Sequence, residues 1–310
     1  KFMTHLSAIS LKQLRALVAI KENGTLAAAA GVLNLTPPAI STQLRLLEQN
    51  LGVRLVERGN DGKTSLTVTG AEVLRTAYAI NANLNICFER IKSLSSGKSG
   101  YLAIGVTSTG KYFAPQLVSA FQGNFPDIEI GLKIGNREEI ISHISEGTVD
   151  LAITGRPPRA SEVVAEILGA HPHIIVAPFG HPLSTGCDVL PDDLLNQTFL
   201  TRERGSGTRL LMQRHLDRIG EGRPYHTVEM GTNETIKQAV IANLGIAFIS
   251  AHTVARELAD GRLVQIRADG VPIIRQWFLI HRRDIELSPV AEKFRKFIIS
   301  ENGRYLPEIP

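Results

Sequence analysis

Apolar residues recur every three or four positions through residues 34–58. Ile40, Leu44, Leu47 and Leu51 form one stripe, and Pro38, Ser41, Thr42, Arg45 and Gln49 fall on the opposite face. Thr36 is a good N-cap, and prolines are tolerated in the first helical turn, where the missing N–H has no partner anyway. The pattern predicts a helix over 37–50 with one buried face and one polar face. Upstream, Leu6, Leu11, Leu14, Leu17 and Val18 point a helix over 9–23 inward. A second helix lies within 24–34, opened by Gly24 and the N-cap Thr25, and its alanines permit close packing. Three short helices, the last two joined by a tight turn at Asn34–Leu35, make a helix-turn-helix. In 55–69 two β-rich runs flank Gly59-Asn60-Asp61-Gly62, a hairpin composition that predicts a wing, with Arg58 and Lys63 available for phosphates.

A long helix follows, with Thr69 as expected N-cap and Glu72 completing a capping box. Val73, Ala77, Ile80, Leu84, Cys87, Ile91 and Leu94 then step by four and three residues, an a/d seam that asks for a partner helix and so a dimer. Packing of this helix on its own domain is the alternative. Ser/Gly-rich 93–100 ends the helix and marks the domain boundary. Beyond it the period changes. Strands are expected at 101–107, 128–134, 149–154, 173–178, 198–203, 225–230, 246–250, 263–266 and 273–282. Helices are expected at 111–124, 137–147, from Thr208, at 233–244 and at 290–299. This alternation is α/β with a largely parallel sheet.

Charge sharpens the division. The chain has 310 residues and a net charge of +4. Residues 1–67 hold 8 Lys/Arg against 4 Asp/Glu, and the rest hold 26 of each. The whole excess therefore sits on the helix-turn-helix, as a phosphate-binding footprint requires. Cys87 and Cys187 suggest no disulfide framework. No apolar run is long enough for a membrane and no signal peptide is read, so a cytoplasmic protein is expected. Lys1 and Phe2 precede a methionine, and Met3 is the expected native start.

Thr25, Ala28, Ala29, Leu33, Thr36, Pro38, Ser41, Leu47-Glu48, Leu51-Gly52, Leu55 and Arg58 closely resemble the winged helix-turn-helix signature of the LysR-type transcriptional regulators. The sequence departs from that signature at Pro37, where glutamine is common, and at Val56, where phenylalanine is common. The loss of a long amide at position 37 should change which bases are read. The resemblance implies a DNA-binding domain at 3–67, a dimerising linker helix at 68–96 and a hinge at 97–100. It further implies an effector domain of two Rossmann-like subdomains, similar to periplasmic binding proteins, at 101–165 plus 269–301 and at 166–268. The segments LTPPAIST, TSTGKYFAPQLVSAF, GNREEI, DLAITGRPP and GSGTR look like the CbbR-type members, which control carbon-fixation (Calvin cycle) operons. That implies effectors such as ribulose bisphosphate, phosphoenolpyruvate or NADPH, RNA polymerase as a partner, and a dimer or tetramer on an imperfect palindromic operator.

Ligands in such folds sit between subdomains, near strand C-termini and helix N-termini. Thr107-Ser108-Thr109 follow the first strand, with Lys111 adding charge; Asn136-Arg137 follow the second and Thr154 and Arg156 the third. Thr201, Arg202, Arg204, Gly205, Ser206, Gly207 and Thr208 form a glycine-rich, arginine-flanked helix start suited to an anion. Thr232-Asn233 offer another helix start. Each of these alone is an ordinary strand-to-helix turn; together they predict a cleft for an anionic effector. On DNA, Ser41, Thr42 and Arg45 are the expected base or phosphate contacts and Pro38 an apolar contact to thymine, while Thr25 and Arg54 hold phosphates with Lys63.

Other chemistry is poorly supported. His171 and His173 share a strand face but lack a matching Cys/Asp/Glu cluster, so surface or packing histidines are expected rather than metal ligands. Gly205-Ser206-Gly207 does not have nucleophile-elbow spacing. No catalytic residue, metal or cofactor is expected. The remaining alternatives are a regulator of the same type that senses a sulfur compound, amino acid or aromatic acid, and a solute-binding protein for transport.

Overall fold

The architecture comes from a computed structural model that describes residues 8–58, 64–95, 100–158, 162–184, 186 and 189–309. It divides into two compact units, residues 1–88 and 89–310.

In the first unit α1 (Leu11–Asn23), α2 (Leu26–Val32) and α3 (Pro37–Leu51) follow the expected order. Ser10 and Gln13 close a capping box on α1, Thr25 caps α2, and Thr36 caps α3 with Pro37 and Pro38 in its first turn. Each cap satisfies an amide that the first turn leaves unpaired. Gly52 ends α3 in a left-handed conformation, φ 70°, which L side chains rarely adopt. Leu14, Leu17, Ile20, Ala29, Ala30, Ile40, Leu44 and Leu47 share one core. The small alanines of α2 are what bring the three helices together.

A ribbon of β1 (Val56–Arg58) and β2 (Thr64–Leu66) follows, antiparallel, with Val56 opposite Leu66. Polar contacts pin it to the helices. Glu48 of α3 accepts from the Leu55 amide at 2.8 Å, and the Thr64 hydroxyl donates to the Gly24 carbonyl at 2.9 Å. The expected Gly59–Gly62 turn and Lys63 lie outside the described residues.

α4 (Val68–Ser95) starts earlier than expected, and its cap is Thr67 rather than Thr69. The Gly70 amide donates to the Thr67 hydroxyl at 2.9 Å, while the Thr69 hydroxyl is turned back onto the Arg54 carbonyl at 2.8 Å. The cause is the chain entering β1, which docks against this first turn. A Cβ on Gly70 would lie 2.0 Å from the Leu55 carbonyl oxygen, so only glycine fits there. The a/d seam divides along α4. Val73, Ala77 and Ile80, with Leu74, are packed into the core of the first unit itself. Leu84 is half-buried, Cys87 and Ile91 are exposed, and the Leu94 side chain lies outside the described residues.

The second unit is built on a seven-stranded sheet. β3 (Gly100–Thr107) pairs in parallel with β4 (Ile128–Gly135) and with β5 (Leu151–Thr154). Alternate residues of β3 serve two cores. Leu102, Ile104 and Val106 pack with Phe113, Leu117 and Phe121 and with Phe294 and Ile298. Ala103 faces Ile140, Ile144 and Val149 on the other side. These contacts place α5 (Ala114–Asn124) and α11 (Pro289–Ser300) on one face and α6 (Arg137–Ser145) on the other.

Two long antiparallel strands carry the sheet into a second lobe: β6 (Val163–Pro178) and β11 (Ile273–Arg282). The N-terminal half of β6 pairs with β11 beside β5. Its C-terminal half pairs with β9 (Ala247–Ser250) and β10 (Leu263–Ile266). The boundary expected at 165/166 therefore falls inside one continuous strand. The first half of β6, where Gly169 and Pro172 interrupt the alternation, was not among the expected strands. Nor were α7 (Pro191–Leu195) and α10 (Ala251–Ala259) among the expected helices. β7 (Thr198–Thr201) and β8 (His226–Glu229) form a parallel pair in the second lobe, which also carries α8 (Gly207–Gly220) and α9 (Asn233–Ile241).

Candidate functional site

Two surfaces carry candidate chemistry, one in each unit. In the first, burial of Ile40, Leu44 and Leu47 turns the opposite face of α3 outward. Pro37, Pro38, Thr42, Arg45 and Gln49 are exposed there, and Ser41 is half-buried. Ser41, Arg45, Arg54 and Thr64 line a groove between α3 and the ribbon. Thr25 and Thr36 have their hydroxyls engaged as helix caps, accepting from Ala28 and Ala39 at 3.2 and 3.4 Å. The backbone of Arg58 lies in β1; its side chain is outside the described residues.

In the second unit a cleft of about 640 Å³, open to solvent, lies between the lobes at the C-terminal ends of β3 and β5. Of the expected effector residues, it gathers Thr107, Ser108, Thr109, Arg137, Thr154, Arg156, Arg202, Ser206, Gly207 and Thr208. The others are placed around it. Lys111 pairs with Glu234 at 3.7 Å, Asn136 caps α6, and Thr232 caps α9. Thr201 and Asn233 are buried behind the wall, and Arg204 is exposed. Gly205 packs against Glu138, whose Oε2 would lie 2.8 Å from an added Cβ.

The arginines differ sharply. Arg202, 4% exposed, is fully engaged. Its Nε and Nη2 donate to Glu203 at 2.7 Å, Nη1 donates to Asn233 at 2.7 Å, and Nη2 also reaches Ser108 in the other lobe at 2.9 Å. Its charge is neutralised and its donors are spent on holding the lobes together. Arg137, Arg156, Arg214 and Arg275 line the same cleft, and among the described residues no lining side chain is a carboxylate. None of the four makes an ion pair among the described residues. Arg137 donates instead to the carbonyls of Arg156 and Pro157, at 3.0 and 3.4 Å. Burial and the neighbouring Arg156 both lower its hold on its proton. A concave surface with four uncompensated guanidiniums attracts an anion.

The floor of the cleft is aromatic. His171 stacks on Trp277, centroids 3.8 Å apart, and meets the ring of His173 at a tilt, centroids 4.3 Å apart. The Trp277 indole N–H donates to Nδ1 of His252 at 3.1 Å. Burial pushes His173 down to about 3 and His252 to about 4, and pushes His171 well below the ordinary range. All three are neutral imidazoles at physiological pH. Gly155 permits this floor, because a Cβ there would lie 2.7 Å from His171 Nδ1. There is no cluster of metal-ligating side chains among the described residues.

Leu210, Leu211, Arg214 and Arg275 were not among the expected cleft residues, and the two histidines were expected as surface or packing residues rather than as cleft lining. Gly207, Leu210, Leu211 and Arg214 follow helical spacing from the anion-binding turn, so that face was readable. Arg275 had no local signal. It reaches the cleft because β11 pairs with β6 and sets Arg275 opposite His171.

Residues 11–71 match the model of the bacterial regulatory helix-turn-helix proteins of the lysR family, and residues 95–302 match the LysR substrate binding domain. The chain is 49% identical over 309 residues to the HTH-type transcriptional regulator CbbR of Cereibacter sphaeroides, covering 99% of this chain and 100% of that one. It is 39% identical to the RuBisCO operon transcriptional regulator of Allochromatium vinosum, covering 96% and 97%. Among solved structures, the regulatory domain of Synechocystis CcmR in complex with 2-PG matches at TM-score 0.61 and 31% identity, over 65% of this chain and 97% of that one. Full-length CbnR complexed with its target DNA matches at TM-score 0.71 and 20% identity, over 94% and 99%, a likeness of fold.

Proposed function

This chain belongs to the LysR family of bacterial transcriptional regulators, and on that premise we propose that it controls carbon-fixation genes in response to a phosphorylated metabolite held between its two lobes. It is a DNA-binding regulator rather than an enzyme, and its relatives by sequence are regulators of RuBisCO operons. The observation that supports the effector assignment is the cleft lined by Arg137, Arg156, Arg214 and Arg275 with no carboxylate among its described lining residues. The start of α8 at Ser206–Thr208 adds backbone N–H groups and the positive end of a helix dipole to the same space.

In this reading α3 enters the major groove. Arg45 and Thr42 reach base edges, Ser41 and Arg54 serve at the flank of the groove, and the prolines at 37 and 38 present apolar surface to thymine methyls. The exposed residues of α4 after Ile80, Cys87, Phe88 and Ile91, are the surface offered to a second copy. The N-terminal half of the seam is occupied by the chain's own core, so pairing rests on the C-terminal half. A dimer implies a roughly twofold operator, and the regulator acts in the cytoplasm on promoters read by RNA polymerase. An effector shifts the lobes only by binding one arrangement better than the other.

The test is binding to promoter DNA upstream of carbon-fixation genes. Arg45→Ala should cost about 1–3 kcal/mol of specific affinity, a loss of roughly 5- to 150-fold, with the thermal midpoint unchanged. Fluorescence anisotropy with specific and scrambled duplexes measures it. Undiminished specific affinity in this variant removes α3 as the reading helix.

A further inference from the structure

The cleft holds one hydrogen-bonding atom whose role follows from its neighbours. Nδ1 of His173 lies 3.2 Å from the carbonyl oxygen of His171. A carbonyl cannot donate, so Nδ1 carries the hydrogen, and in a neutral ring Nε2 is then a bare acceptor. His173 lines the cleft, and Nε2 has no hydrogen-bond partner among the described residues. Burial keeps the ring neutral, and the groups facing it are these. From β6 itself comes the imidazole of His171, and from β11 the guanidinium of Arg275, which faces it together with His252 of α10. From β9 comes the Phe248 ring, stacked at 5.7 Å, and Ser250, the register partner of His173. Among the described residues no carboxylate faces it. An acceptor that cannot become a donor repels an anionic oxygen and welcomes a hydroxyl.

Resting on the reading of the cleft as the effector site, we propose that His173 is a specificity-determining residue that accepts a hydrogen bond from a hydroxyl of the effector, so that the site selects hydroxylated polyanions over equally charged anions without hydroxyls. The arginines supply attraction to charge, which every phosphorylated metabolite satisfies. His173 supplies the discrimination that charge cannot, because an acceptor that the bound effector closes off from water and leaves unpaired carries a penalty that a hydroxyl removes.

The experiment compares two probes matched in length and charge, ribulose 1,5-bisphosphate and pentane-1,5-diol bisphosphate, titrated into the full chain by calorimetry. The expected result is a preference of about tenfold or more for the hydroxylated probe. The preference should be constant between pH 6 and 8, because no titration of His173 occurs there. His173→Phe, which keeps a ring against Phe248, should abolish the preference, so that the two probes bind with equal affinity. His173→Gln, which restores an acceptor, should recover part of it. Equal affinities in the unaltered chain, or a preference that survives in His173→Phe, overturn the proposal while leaving the cleft as the effector site. If neither probe nor any phosphorylated metabolite binds, the cleft assignment itself fails and the role of His173 fails with it.

Discussion

Two sets of arginine meet at the cleft between the lobes. Arg202 is buried, clamped by Glu203 and Asn233 on its own side and tied to Ser108 across the gap. Arg137, Arg156, Arg214 and Arg275 stand around the same space with no carboxylate among the described lining residues. The first has already spent its charge on the fold, and the others keep theirs available. The comparison teaches that an arginine beside a glycine-rich turn is not by that fact an anion receptor. What decides is whether an acidic neighbour has reached it first, and in Arg202-Glu203 that neighbour is the next residue.

The sharpest way to break this contrast is to remove one arginine of each kind. Arg202→Ala strips a buried ion pair of one partner and leaves Glu203 uncompensated, which costs about 3 kcal/mol or more of stability. Chemical denaturation measures it. If stability is unchanged, Arg202 is not a clamp and returns to the pool of candidate ligands. The same substitution at Arg275 should alter stability by no more than about 0.5 kcal/mol, since that side chain is exposed and unpaired.

A separate effect, seen only on acidification, comes from the histidine floor beneath both sets. Above pH 6.5 His173 and His252 are neutral whether the chain is folded or unfolded, and they add no pH dependence. As pH falls below 6.5 the unfolded imidazoles take up protons that the folded ones refuse until about 4 for His252 and about 3 for His173. Stability should therefore fall with acidification between pH 6.5 and 4, by up to about 1.4 kcal/mol per pH unit for each histidine. His173→Phe should flatten the slope of thermal midpoint against pH in that window. An unchanged slope places the proton uptake elsewhere.

How far the residues announced these arrangements depended on how local they were. The face of α3 is written in fifteen consecutive residues, with its cap at Thr36, its stop at Gly52 and its apolar stripe in between. The strands and helices that carry the cleft were mostly visible through their periodicity, and so were Thr107–Thr109, Arg156 and Ser206–Thr208 as strand ends and helix starts. The rest lay in long-range pairing. β6 was half hidden because Gly169 and Pro172 interrupt its pattern, and Arg275 enters the site only through its register against His171. The seam of α4 was legible as a seven-residue repeat. Its division was not, because a sequence period does not say which core takes the first three steps. The same limit applied to Arg202, whose partners Ser108 and Asn233 come from distant segments.

The central claim is that the uncompensated arginines hold a phosphorylated effector. It is tested most directly by thermal unfolding of the full chain against a panel of sugar bisphosphates, phosphoenolpyruvate, 2-PG, NADPH, sulfate, amino acids and aromatic acids. A metabolite at about 100 times its Kd should add roughly 2.7 kcal/mol of stability. The account predicts a shift confined to phosphorylated compounds, abolished in Arg275→Ala or Arg156→Ala although these variants are as stable as the parent chain without ligand. A shift produced only by an aromatic acid or an amino acid, or one that survives both substitutions, contradicts it.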